Sequence, residues 1–285
     1  MAPTLSIVIP WCNRPELGDT LPQNMEAFQS LDAEVLVINC GGDRQKLEPL
    51  VSVPGSRRPR VIEISREGFN KCLALNIGAV LSRGRRLFFL DADVVISPAV
   101  MAGIVERTDE RAFVTIQWVV DSNATGRPTG LAESIQMMEL VWTDGERLSF
   151  EFYRTRAADQ ARGGPGLICV LREQFLAVQG MNSKLTSWGW EDMDLIIRLQ
   201  AMHGMRRVLF GEARHLAHDD SRRNLNGATR QESVSRNMSL CYANYERRKF
   251  FGTLRRDVVE SRGMTFEHAP SNKDDRARLR SSEDA

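Results

Sequence analysis

Two rhythms of apolar and polar positions run along this chain, and the first hundred residues carry the clearer one. Leu5-Ser6-Ile7-Val8-Ile9 is a β-branched run that meets Pro10, which predicts a buried strand over 5–9. Leu17, Leu21, Met25 and Phe28 recur at helical spacing and predict a helix within 15–30. A second strand is expected over 34–39, closed by the turn signal Gly41-Gly42-Asp43, and a third over 61–64. Cys72, Leu75, Ile77 and Ala79 lie near one stripe of a helix expected over 70–81. Leu87-Phe88-Phe89-Leu90 predicts a fourth strand, which runs directly into Asp91-Ala92-Asp93. Strands alternating with helices predict an α/β fold with a mostly parallel open sheet flanked by helices. Ligands on such sheets bind beyond the carboxyl ends of the strands. Three of those ends are polar here: Asn13 with Arg14, Asn39, and Asp91 with Asp93.

The second half is less regular. A strand is expected over 113–120, a helix over 131–148, and a tight loop at Gly163-Gly164-Pro165-Gly166 before a short strand over 167–171. A short helix follows over 172–178. Trp188-Gly189-Trp190-Glu191-Asp192 opens a helix running to about 203, with Leu195, Ile196 and Leu199 inward. The polar stretch 216–236 reads as a lid or a disordered loop, and 263–285 as a disordered tail. The expected organisation is therefore a ligand-binding half over 1–100, a second half over 101–262 that includes the 216–236 lid, and the tail.

Composition narrows the function more than the fold. Apolar residues make up 42% of 285 and charged residues 26%, an ordinary globular balance. A net charge of +1 argues against a nucleic-acid binder that depends on a basic field. The five cysteines form no Cys-x-x-Cys pair, so neither a zinc-thiolate site nor a disulfide framework is expected. No apolar run approaches the length of a membrane span, and the start of the chain lacks the features of a secretory leader; a cytoplasmic protein is the expectation.

Three constellations could carry chemistry. Asp91 and Asp93 can place oxygens near one hard cation, although Asp93 could equally cap the turn near Ser97-Pro98. His215 and His218, three apart in a chain with four histidines, can converge on one ion, with Asp93 as a third ligand. Mixed oxygen and nitrogen ligation makes Mn²⁺ the expected ion, with Mg²⁺ second. Glu191 and Asp192 begin a helix, where acidic residues are ordinary. Beside Trp188 and Trp190, which suit stacking on a sugar, a carboxylate could also deprotonate a nucleophile. Gly163 and Gly164 either admit a ligand to the backbone or simply turn it, and Arg14 could hold a phosphate or an acidic neighbour.

These motifs, in this order, resemble inverting glycosyltransferases of family 2 with a GT-A fold, and the second half resembles the C-terminal domain of β-1,4-galactosyltransferases. The likeness rests on Ile9-Pro10-Trp11-Cys12-Asn13-Arg14, Phe69-Asn70-Lys71, Leu75-Asn76-Ile77-Gly78 and Asp91-Ala92-Asp93. It continues through Gly163-Gly164, Arg172-Glu173-Gln174-Phe175, Gly180, Trp188-Gly189-Trp190-Glu191-Asp192, and His218 with Asn224 and Arg230. The resemblance implies that Pro10, Trp11, Arg14, Phe69, Lys71, Asp91, Asp93, Gly164 and Trp188 bind the donor nucleotide. It implies Asp93, His215 and His218 as metal ligands, with His215 standing where the family has Met. Asp192 would be the general base, and Trp188, Trp190, Glu191, Met193 and Arg230 would meet the acceptor. Met193 stands where the family has an acidic residue that touches N-acetylglucosamine, so a different acceptor is expected. The implied activity is metal-dependent transfer from a UDP- or GDP-linked sugar to a small-molecule, natural-product or glycan acceptor. Two rival readings are a sugar nucleotidyltransferase, for which Pro10 to Gly18 offers too few glycines, and a non-catalytic sugar-binding protein.

Overall fold

The computed structural model describes residues 3–52, 59–126, 130–218 and 228–267. Its first half is a parallel sheet wound in both directions from its first strand. β1 (Leu5–Trp11) pairs in parallel with β2 (Glu34–Cys40) on one side and with β4 (Arg86–Phe89) on the other, and β2 pairs with β3 (Arg60–Ile64). Helices α1 (Leu17–Ser30) and α3 (Lys71–Leu81) connect them, with the one-turn α2 (Arg44–Leu47) between. The chain therefore leaves β1 toward β2 and returns to β4 on the opposite side. That reversal opens a crevice at the carboxyl ends of β1 and β4.

Alternate side chains of these strands feed two separate cores. Val8, Leu36, Ile38 and Cys40 pack with α3, whereas Leu5, Ile7, Ile9, Val35 and Val37 pack with α1. Both faces are covered, which is why the strands read as continuous apolar runs rather than alternating ones. Pro10 is accommodated inside β1 because β4 pairs only as far as Val8, so the missing N–H costs no ladder bond on that side.

The second half adds antiparallel strands, so the sheet is mixed. After β5 (Val94–Ile96) and α4 (Pro98–Arg107, capped by Ser97) comes β6 (Ala112–Asp121). β9 (Arg162–Leu171) lies antiparallel between β4 and β6, and β10 (Arg206–His215) runs parallel to β6. α5 (Arg172–Ala177) and α6 (Glu191–His203) stand between β9 and β10 in sequence, and α7 (Arg230–Tyr245) and α8 (Leu254–Glu260) follow. β11 (Thr265–Glu267) closes the far edge against β3, giving the order β11-β3-β2-β1-β4-β9-β6-β10-β5. Among the described residues no helix is long and apolar enough to cross a membrane.

Four expectations are corrected. Residues 131–148 form no helix; they supply β7 (Glu133–Val141) and the start of β8 (Arg147–Arg156), an antiparallel hairpin. Ile135, Met138 and Trp142 mimic a helical stripe, but Asp144-Gly145 is a hairpin turn with Gly145 at φ 89°, and Leu148, Phe150 and Phe152 alternate. Gly163 to Gly166 is no tight loop but the irregular first part of β9, with register shifts against β6. The 216–236 stretch does not remain a loop, since residues from Arg230 onward lie in α7, started by a Thr229–Glu232 capping box. Residues 219–227, Asn224 included, lie outside the described ones. Of the expected tail, 265–267 is strand β11, and 268–285 lie outside the described residues.

Candidate active site

Two loops reach across the crevice. Beyond β1, Asn13 takes a left-handed conformation (φ 53°) and its Oδ1 accepts from the Asp43 N–H at 2.8 Å. Trp11 is buried, and its Nε1–H donates to the Arg14 carbonyl at 2.8 Å. These bonds hold the turn that carries Arg14. Beyond β4, Asp93 is buried and meets the Arg14 Nη2 at 2.5 Å.

β10 delivers the histidines to the same place. His215 Nε2 lies 3.5 Å and His218 Nε2 3.3 Å from Asp93 Oδ2. One ligand atom from each of Asp93, His215 and His218 lies within 4.8 Å of the others. The backbone supports this focus, because the Leu216 N–H donates to the Asp93 carbonyl at 2.8 Å. Burial alone would raise the Asp93 carboxyl, but the imidazoles and the Arg14 guanidinium outweigh it and lower the pKa to about 2. Burial also opposes a charged His215, and the Asp93 carboxylate overcomes it, so that ring titrates above its ordinary value. A carboxylate oxygen and two imidazole nitrogens converging on one point fit a divalent cation.

A second cluster lies beside the first. Lys71, the first residue of α3, places Nζ 3.2 Å from Asp91 Oδ1 and 3.4 Å from Asp192 Oδ1. Burial disfavours its charge, but Asp192, Asp91 and Glu191 together hold the ammonium on, well above its ordinary pKa. The helix that carries both site carboxylates is entered through an unusual turn: Ser187, Gly189 and Trp190 all have positive φ (68°, 95° and 71°). α7 clamps that turn. Asn237 Nδ2 donates to the Gly189 carbonyl at 2.8 Å, and the Ser233 hydroxyl donates to the Trp188 carbonyl at 2.6 Å.

Burial raises the Asp192 carboxyl, with Lys71 pulling the other way. Glu191 is raised to about 7, first by burial and then by Asp192. Among the described residues its buried Oε2 has no hydrogen-bond partner. A carboxylate in this environment is a stronger base than one in water and attracts a donor group from a ligand.

The structure distributes the expected residues unevenly. Arg14, Lys71, Asp91, Asp93, Asp192, His215 and His218 come together at the crevice. Trp188 is half-buried, with the Arg230 guanidinium over its ring at 4.5 Å. Phe69 is half-buried against the core, and Pro10 is buried in β1. Trp190 is no sugar platform. It is 5% exposed, packed between Phe152 (5.5 Å) and Tyr242 (5.8 Å). Met193 is likewise 5% exposed in the same core and does not line an open acceptor surface. The spacing Trp190, Met193, Ile197 is the core stripe of α6, a signal already present in the sequence. Gly164 faces Ile116 and Val119.

Gly166, not Gly164, is the glycine the site needs. A Cβ there would stand 2.5 Å from Asp192 Oδ2 and 3.2 Å from Lys71 Nζ. Asp121 was also missed; it accepts from His215 Nδ1 at 2.8 Å and is paired to it across β6 and β10. Asp121 meets His215 through strand register, and Gly166 meets Asp192 and Lys71 because α6 and α3 pack their first turns against β9.

The sequence matches the model of glycosyl transferase family 2 over residues 6–172, more than half of the chain. A second model, described as the N-terminal domain of galactosyltransferase, matches residues 148–219. No curated protein matches the sequence. Among solved structures the chain is similar to S. aureus TarS 1-349, with TM-score 0.51 and 14% identity over 98% of this chain and 70% of that one. TarS 1-349 in complex with UDP-GlcNAc gives TM-score 0.52 and 13% identity over the same shares. Another S. aureus TarS structure gives TM-score 0.52 and 13% identity, covering 92% of this chain and 43% of that one. At such identity the likeness is one of fold.

Proposed function

The chain belongs to glycosyl transferase family 2 and is a glycosyltransferase of GT-A fold, and on that premise we propose that it moves a sugar from a nucleoside diphosphate sugar to an acceptor nucleophile with inversion. The observation that carries this reading is the Lys71 bridge. One ammonium spans Asp91 and Asp192, so the Asp-x-Asp loop and the helix carboxylate share one crevice. A base that close to the donor loop suits in-line displacement, in which acceptor and leaving group stand on opposite faces of the anomeric carbon.

The residues divide the work as follows. Arg14 and Lys71 supply positive charge for the donor diphosphate. Asp93, His215 and His218 would hold a divalent cation, Mn²⁺ in preference to Mg²⁺ given two imidazole nitrogens. When bound, that ion would neutralise the charge that builds on the departing diphosphate. Asp192 takes the proton from the acceptor O–H, N–H or S–H as it attacks, and burial has already raised its basicity. Glu191, with an unsatisfied oxygen, accepts a hydrogen bond from the acceptor and turns it toward Asp192. Trp188 under the Arg230 guanidinium forms a flat wall for a sugar ring. Small-molecule, natural-product and glycan acceptors all fit this scheme.

The test is calorimetric titration of UDP and GDP with Mn²⁺, with Mg²⁺ and without metal, on the wild type and on His218→Ala. The TarS complex with UDP-GlcNAc makes uridine the first nucleotide to try. Metal-dependent binding of one nucleotide, lost in the variant, is the expected result. Binding of neither nucleotide under any condition would overturn the donor reading.

A further inference from the structure

We propose that Asp121 is a positioning residue for the metal site: its carboxylate accepts a hydrogen bond from the Nδ1–H of His215 and so turns Nε2 of that ring toward the ion. This rests on the reading of Asp93, His215 and His218 as metal ligands. An imidazole can present either nitrogen, and only a fixed ring presents one of them reliably. The His215 Nδ1 to Asp121 Oδ1 distance is 2.8 Å. An ionised carboxylate only accepts, so in the neutral ring the proton sits on Nδ1. Nε2 then carries the lone pair, and Nε2 is the atom that faces Asp93 Oδ2 at 3.5 Å.

The arrangement is built into the sheet. His215 and Asp121 are opposite one another at the end of the parallel β6–β10 ladder. Just beyond them the Ser122 N–H donates to the His215 carbonyl at 2.8 Å, and the Ala217 N–H donates to the Ser122 hydroxyl at 3.0 Å. Strand register therefore sets the height of the carboxylate against the ring. On the far side, Arg162 Nη2 stands 3.4 Å from the same Oδ1. The result is a chain of contacts, Arg162 to Asp121 to His215 to the ion site. Metal-ligating histidines are commonly oriented by such an outer carboxylate, and its loss typically costs about 10–100-fold in metal affinity. The Asp121 side chain is 42% exposed, so its replacement leaves the core intact.

The experiment is an electron paramagnetic resonance titration of Mn²⁺, alone and with UDP or GDP. The chains are the wild type, Asp121→Leu, Asp121→Asn and His218→Ala, each also melted in a chelator. Asp121→Leu is expected to raise the Mn²⁺ Kd about 10–100-fold while the metal-free melting temperature holds. Asp121→Asn keeps an acceptor oxygen without the charge and is expected to fall between the two. A Kd for Asp121→Leu within about twofold of the wild type, well short of the expected loss, overturns the proposal. If His218→Ala still abolishes binding in that case, the metal site itself stands. Should the Leu variant fail to fold, an Asp121→Asn Kd within the same margin of the wild type overturns it. Absence of Mn²⁺ binding by the wild type under every condition overturns the proposal and the metal reading together.

Discussion

Glu191 is a carboxylate that folding makes costly to ionise, and the cost is measurable. The residue is 7% exposed, and among the described residues its Oε2 has no hydrogen-bond partner. Burial, with Asp192 adding repulsion and Lys71 opposing, raises its pKa from 4.5 to about 7. Between those values the folded chain holds a proton that the unfolded chain has released. The group's favourable contribution is therefore complete below pH 4.5 and is lost as pH rises through 7. Above that, at ~1.4 kcal/mol per pH unit, the ionised side chain costs about 3 kcal/mol. Glu191→Gln keeps the shape and removes the titration. Urea unfolding of both chains at about pH 5 and 8.5 should show the variant gaining about 2–3 kcal/mol more over the wild type at the higher pH. Titrating groups that do not touch the Glu191, Asp192 and Lys71 cluster are shared and cancel in the difference. A gain that is the same at both pH values to within about 0.5 kcal/mol would refute the reasoning, because it would mean that folding does not perturb the carboxyl.

Three further outcomes are expected. Asp192→Asn should lower kcat about 10²- to 10⁴-fold while the donor nucleotide still binds by calorimetry, and normal turnover would remove Asp192 as the base. Gly166→Ala places a methyl 2.5 Å from Asp192 Oδ2 and must displace that carboxylate. It should cost about tenfold to a hundredfold in kcat with a smaller loss of nucleotide affinity through the neighbouring Lys71, so steady-state kinetics beside calorimetry decide it. Asn76→Ala removes donors to Asp257 (2.7 Å) and to the Met181 carbonyl (3.0 Å), and an acceptor for the Met181 N–H (2.7 Å). All of these are buried, so denaturant unfolding should show a loss of about 2–3 kcal/mol, and a loss below about 1 kcal/mol would mean the network relaxes around the gap.

Removing Glu191 should thus stabilise the fold above neutral pH while it removes the acceptor contact proposed for that carboxylate, which is the usual opposition between stability and function at a site. The same opposition is written into the backbone. Three positive φ angles within 187–190 launch α6 so that Asp192 reaches the crevice beside Lys71, and α7 holds the turn there.

Local signals were enough for the parallel core of the first hundred residues, though not for the short α2 and β5. β1, β2, β3, α3 and β4 all form where apolar runs and helical stripes predict them, within a residue or two at each end. A strand buried on both faces must be apolar throughout, so its pattern is strong. The polar loops after β1 and β4 were legible for the same reason, because a buried run that stops at charged residues marks a strand end. His215 and His218 stood out by their rarity and spacing. Helix and hairpin compete over 131–148 because a short apolar run suits both, and only the partner strand decides. β10 shows no continuous apolar run because it is polar and half-exposed along much of its length. Motif position alone makes Trp190 and Met193 acceptor residues, whereas their spacing with Ile197, equally present in the sequence, places them in the core. Asp121 and Gly166 needed the folded sheet itself. Each matters through a neighbour distant in sequence, brought to Asp121 by strand register and to Gly166 by the packing of two helix starts, and the distance of a carboxylate from an imidazole or a lysine is set by tertiary structure alone.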